Sequence, residues 1–139
     1  MTLRYLLDTS IVSRGVGAAF DLGVVEHLRV ATAEAALGAP VWHELNFGLQ
    51  SMPPGRRREV LEKYLDVVRD TYPILPYDEV AATVHASERA RLRRVGRTPP
   101  FADGQIAAIA IVNELIMVTA NVRDFRSFEG LTVEDWSSP

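Results

Sequence analysis

The chain has 139 residues, 47% hydrophobic and 24% charged, a mix that suits one globular domain spanning 1–139 with a real core. It has no cysteine, which excludes disulfides and thiolate zinc sites. It has no apolar run near the roughly 18 residues needed to span a bilayer. No basic segment followed by an apolar leader opens it, so a cytoplasmic protein without membrane contact is expected. The net charge is −3, yet 14 of the 15 basic residues are arginine, the better bidentate ligand for phosphate, so nucleic acid stays open as a partner.

Hydrophobic periodicity predicts alternating strands and helices. A strand at about 4–8 precedes a helix at about 20–36, on which Leu22, Val25 and Leu28 recur at helical spacing. A short strand at about 37–41, interrupted by Pro40, leads to a helix beginning near His43. The Met52-Pro53-Pro54-Gly55 break is followed by a helix to Thr71, with Val60, Leu61, Tyr64, Leu65 and Val68 on one face. Pro73-Ile74-Leu75-Pro76 reads as a strand that its prolines confine to an edge or a strand end. A long helix from Tyr77 or Asp78 stops at Gly96, and a loop at 97–100 joins it to a buried helix over 103–115. Strands at 116–119 and 131–133 complete the set. Strands separated by helices imply a parallel sheet flanked by helices: a three-layer α/β/α fold with about five strands.

Four acids fall near the ends of these strands: Asp8, Glu44, Asp103 and Asp124. Singly, Asp8 reads as a helix cap, Glu44 as a dipole partner, Asp103 as an N-cap and Asp124 as a turn residue. Together they lie where ligand crevices form in open α/β sheets. Four crowded carboxylates repel unless cations neutralise them, and an all-oxygen cluster suits Mg²⁺ or Mn²⁺. Setting those four acids aside leaves a net charge of +1.

Four segments carry a family resemblance: Tyr5-Leu6-Leu7-Asp8-Thr9-Ser10, Glu44-Leu45-Asn46-Phe47-Gly48, the run from Asp103-Gly104-Gln105 to Ala110, and Val118-Thr119-Ala120-Asn121-Val122-Arg123-Asp124-Phe125. In this order and at these distances they resemble the PIN-domain ribonucleases, specifically the VapC-type toxins of VapBC toxin–antitoxin pairs. The closing Gly130-Leu131-Thr132-Val133-Glu134-Asp135-Trp136 is also similar.

The resemblance implies a Mg²⁺-dependent endoribonuclease, with Mn²⁺ as a substitute. It implies a homodimer held inactive by a cognate VapB-type antitoxin, acting on tRNA or rRNA and leaving 3′-hydroxyl and 5′-phosphate ends. Asp8, Glu44, Asp103 and Asp124 take the places of the catalytic, metal-binding acids. Asp8 and Asp103 are the principal ligands, Glu44 completes the set or positions water, and Asp124 holds a second metal or a metal-bound water. Thr9, Ser10 and Asn121 are supporting hydrogen-bonding residues. Asn121 stands where some PIN nucleases place an acid, and His43 replaces a small or apolar residue.

The basic block of Arg89, Arg91, Arg93, Arg94 and Arg97 contains no acid partner among its own members, and Arg91, Arg93, Arg94 and Arg97 are candidate RNA-binding residues. The bland reading is a solvated helix face. Arg56, Arg57 and Arg58 read as solvated beside Glu59 and Glu62. Trp42, Phe47 and Phe125 read as core, and Leu45, Phe47 and Leu49 as part of a dimer or antitoxin surface. An aspartyl-phosphate hydrolase or receiver domain fits less well, because the sole lysine, Lys63, lies in a predicted helix rather than at a strand end. A PIN-like module that binds RNA or protein without cutting is the other alternative. Loss of one of the four acids would signal it, and all four are present.

Overall fold

In the computed structural model, which describes residues 2–139, the sheet is built outward from β1 (Tyr5–Leu7). The chain then forms α1 (Thr9–Val12), α2 (Leu22–Ala31), β2 (Ala35–Gly38), α3 (Ala39–Gln50), α4 (Arg56–Thr71) and β3 (Ile74–Leu75). It continues through α5 (Glu79–Arg94), α6 (Phe101–Val112), β4 (Ile116–Val118), α7 (Val122–Phe125) and β5 (Val133–Glu134). The strand order is β3-β2-β1-β4-β5, and every pairing is parallel. Successive strand residues face opposite sides of a sheet. Leu6 and Leu7, Ala36 and Leu37, and Met117 and Val118 are all fully buried, so helices cover both faces as a three-layer fold requires.

The order places a switch point between β1 and β4. From β1 the chain winds outward through β2 to β3, then returns to the other side of β1. In-register pairing aligns Leu7 with Leu37 and with Val118, so three strands end side by side. The next residues, Asp8, Gly38 and Thr119, occupy the edge where such folds bind ligands.

Several predicted boundaries shift. Helix α2 starts at Leu22, with the Asp21 side chain capping Gly23 and Val24 N–H, and ends at Ala31. A 3-10 turn, Thr32–Glu34, then leads to β2 at Ala35, earlier than expected. Pro40 opens α3 rather than interrupting a strand, because the first helical turn needs no N–H there. Glu44 consequently lies in the second turn of α3. Helix α6 begins at Phe101, so Asp103 lies inside its first turn and is not its cap. The short helices α1 and α7 were not expected at all. β3 is an edge strand, as its prolines require. Lys63 is exposed on α4, away from any strand end.

Candidate active site at the strand ends

Asp8 follows β1 with extended backbone, at the cap position of α1, but its carboxylate makes no cap bond. It is only 6% exposed, and two hydroxyls serve it instead. Ser10 Oγ and Thr119 Oγ1 each donate to Oδ2 at 2.8 Å. These hydroxyls are themselves oriented: Ala120 N–H donates to Ser10 Oγ and Asn121 N–H to Thr119 Oγ1, both at 3.0 Å. With N–H groups directed at their oxygens, both hydroxyl protons are directed to Asp8. Oδ1 accepts no protein hydrogen bond, and no fully buried side-chain oxygen among the described residues is orphaned, so Oδ1 reaches solvent.

Glu44 is exposed, and Thr9 Oγ1 donates to its Oε2 at 2.6 Å, tying α3 to α1. Asp103 is half-buried in the first turn of α6. Its carboxyl is pushed up to about 6, first by burial and then by the charges of Asp8, Asp124 and Glu44. A helix N-terminus favours an anion, so burial and repulsion outweigh the dipole here. Asp8, Asp124 and Glu44 are thus near enough to Asp103 for their charges to act on it. Asp124 is exposed on α7, and its N–H bonds the Asn121 carbonyl at 3.0 Å.

Among the described residues, none of the four acids has an ion-pair partner. No three acid or histidine side chains among those residues already stand close enough together to cage a cation. The donor set is nonetheless one that Mg²⁺ accepts. It is all oxygen, it carries uncompensated negative charge, and its best-held member presents a free oxygen. Mg²⁺ commonly binds through one or two carboxylates and keeps several waters.

The supporting residues fall into two groups. Thr9 and Ser10 bond acids directly. Asn121 takes part through its N–H, as the orienting donor to Thr119. Sequence reading assigned Thr119 only to a strand, yet it is a principal partner of Asp8. The available signal was a hydroxyl at the end of a strand that pairs with β1.

Three other expectations change. Arg91 is not free: its guanidinium bonds Glu88 at 2.8 and 2.9 Å and the Ser127 carbonyl at 2.8 Å, with Glu129 at 3.6 Å. Phe125 is core, but Phe47 is 67% exposed, stacked on His43 at 6.3 Å. Leu45 and Leu49 belong to the core, with only an edge of Leu45 reaching the cavity beside Thr9 and Glu44. His85, which showed no role in the sequence, packs between α5 and α6. Its Nδ1 bonds Tyr77 Oη at 2.7 Å, and a Cβ on Gly104 would collide with its Nε2. Only glycine, the residue after Asp103, lets α6 approach this closely.

A parallel five-stranded sheet with four carboxylates at its switch-point edge defines the class: a PIN-type fold. No protein-family model matches the chain. The tRNA(fMet)-specific endonuclease VapC of Shigella flexneri is 32% identical over 136 residues, covering 97% of this chain and 99% of that protein. Among solved structures, FitAcB from Neisseria gonorrhoeae is 28% identical with a TM-score of 0.84, covering 93% of this chain and 95% of that one. VapBC-5 of Mycobacterium tuberculosis, a member of the VapBC family of toxin–antitoxin systems, is 26% identical with a TM-score of 0.71, covering 99% and 98%. The chain belongs to the VapC family of toxin ribonucleases.

Proposed function

We propose that this chain is a divalent-metal-dependent endoribonuclease, the toxin half of a type II pair with a VapB-type antitoxin. The observation that carries the reading is geometric: Asp8 is held at Oδ2 by Ser10 and Thr119 with its other oxygen free, at a sheet edge shared with Glu44, Asp103 and Asp124, where no cation side chain among the described residues pairs with any of the four. Such crowding costs stability unless a cation of high charge relieves it. Mg²⁺ or Mn²⁺ fits the oxygen donors, with Asp8 and Asp103 as principal ligands and Glu44 and Asp124 beside them. A bound ion there would lower the pKa of a water and neutralise charge on the departing oxygen.

The chain's own residues supply position. Ser10 and Thr119 fix Asp8, Thr9 holds Glu44, and the close packing of Gly104 on His85 sets Asp103. No side-chain nucleophile is required, since water attacks phosphorus in line. The similarity to a tRNA(fMet)-specific endonuclease supports a structured RNA, tRNA or rRNA, as substrate. Homodimerisation is part of the same reading.

An antitoxin has a seat next to this site. A cavity of about 510 Å³ opens beside Thr9 and Glu44, lined by the apolar Val16, Leu45, Val60 and Leu61 and rimmed by Arg56 and Arg57. That lining suits an apolar partner segment carrying acidic groups. The similarity to a toxin–antitoxin complex supports it.

An RNA cleavage assay tests the nuclease reading with Mg²⁺, with EDTA, and with Asp8→Ala or Asp103→Ala. Chelation or either substitution is expected to abolish cutting while the fold survives. Cleavage that persists in EDTA overturns the metal mechanism. RNA binding without cleavage under any of these conditions favours the non-cutting module.

A further inference from the structure

We propose that an arginine-lined hollow at the end of the α5–α6 hairpin holds a single-stranded run of substrate RNA beside the acid edge. This rests on the nuclease reading and extends it to a second contact. Helices α5 and α6 run antiparallel: His85 meets Gly104, and the Arg89 guanidinium lies 5.1 Å from the Phe101 ring centre. The connecting loop therefore lies beyond the N-terminus of α6, the end that carries Asp103. A hollow of about 660 Å³ occurs there. Its walls are Arg89, Arg93, Arg94 and Arg97, and the short side chains of Ala86 and Ala90 leave the space between them.

Local geometry gathers the charges. Arg89 and Arg93 are one helical turn apart, about 6 Å along α5. Gly96, at φ 78°, ends the helix in the left-handed conformation. The Arg97 N–H then bonds the Leu92 carbonyl at 2.8 Å, turning Arg97 back toward the helix end. Among the described residues, none of these four arginines has an acid partner.

A merely solvated helix face is laced with acids three or four residues away from its cations, as Glu88 serves Arg91 on the neighbouring face. The positions three and four before Arg89, Arg93 and Arg94 are His85, Ala86, Arg89, Ala90 and Arg91, with no acid among them. Four guanidiniums around one hollow repel one another, and a chain of phosphodiesters relieves that repulsion. Phe101, 52% exposed and two residues before Asp103, carries the Arg89 guanidinium over its ring and places an aromatic edge at the end nearest the acids. Phosphate-binding cations beside an exposed aromatic ring form the pattern of a single-strand site.

The test measures binding in EDTA to a mixed-sequence RNA of about 20 nucleotides, longer than the roughly 4–16 covered by one single-strand site. The Arg93→Ala/Arg97→Ala double variant is expected to bind about tenfold more weakly. Its slope of log K against log salt should fall by about 1.4, at roughly 0.7 per phosphate contact. Arg93→Lys/Arg97→Lys should keep the slope, and in Mg²⁺ the double alanine variant should lose more kcat/KM on the 20-nucleotide RNA than on a trinucleotide too short to fill the hollow. An unchanged slope and affinity overturns the track, as does an equal loss on the trinucleotide or a loss of antitoxin binding with RNA binding intact. Since binding is read without metal, a wild-type chain that cuts no RNA yet shows the salt effect overturns the nuclease reading and retains the track.

Discussion

Thr119 Oγ1 donates to Asp8 Oδ2 at 2.8 Å, joining residues 111 positions apart across the β1–β4 pair. Parallel register puts this threonine one residue past β4, as Asp8 is one residue past β1. Thr119→Val keeps the shape and removes the donor. It leaves a buried carboxylate short of a partner, at a cost of about 1–3 kcal/mol. It should also weaken metal activation about 10–100-fold, as loss of an orienting hydrogen bond does. Denaturant melts and a Mg²⁺ titration of cleavage check both.

Asp103→Asn should abolish cleavage yet stabilise the metal-free protein at neutral pH. The native carboxyl titrates at about 6 against 3.8 in the unfolded chain. A raised folded pKa means that the stability it brings is full below about 3.8 and lost as pH rises to about 6. The gain at pH 7 is on the order of 2 kcal/mol, after allowing for the partial exposure of the group. Chemical melts of both proteins from pH 4 to 8, with EDTA present, read it. Equal stability at pH 7 would refute the crowding argument.

His85 should act with the opposite sign. Burial first, and then the charge of Arg89, lowers its pKa below 6.5. The unfolded chain therefore takes up a proton as pH falls through 6.5 while the native imidazole stays neutral, so stability drops on the acid side. His85→Gln in an Asp103→Asn background should flatten that acid slope. In the wild type the two groups partly cancel, so the informative comparison is the double variant against Asp103→Asn alone.

Arg91→Ala should behave as a stability variant. It strips donors from Glu88 and from the Ser127 carbonyl, so the melting temperature should fall. KM for RNA should stay unchanged. A raised KM with wild-type stability would return Arg91 to the RNA-binding set.

Val60→Glu tests the antitoxin seat. Val60 is 42% exposed on α4, so a charge there leaves the core intact. Cleavage should persist and antitoxin binding weaken at least about tenfold, in the range of a lost apolar anchor. Calorimetry with the antitoxin measures it.

Asp8 was conspicuous because a carboxylate next to an apolar strand is chemically out of place, whereas Glu44, Asp103 and Asp124 lie within α3, α6 and α7 and were singled out by their positions along the chain. The strand and helix types were legible from periodicity. The boundaries were less so. Pro40 satisfies both a strand end and a helix start, and only the burial of Ala35 and Ala36 decides for a strand that ends at Gly38. Thr119 and His85 were hidden because their partners, Asp8 and Gly104, come from other segments. A sequence shows what a side chain can donate, but not which distant group receives it. Arg91 misled because its partners, Glu88 and Glu129, lie outside the basic run that drew attention.

The place of β4 beside the central β1 also sets when the surroundings of Asp8 are complete. Asp8 is synthesised 111 residues ahead of Thr119, and the strand that lies beside β1 and delivers this threonine is made only after residue 115. A nascent chain carries its leading acid long before it has the hydroxyl that fixes it. The last partner of Asp8 therefore arrives late, and translation arrested before β4 yields a product whose Asp8 lacks the Thr119 hydroxyl.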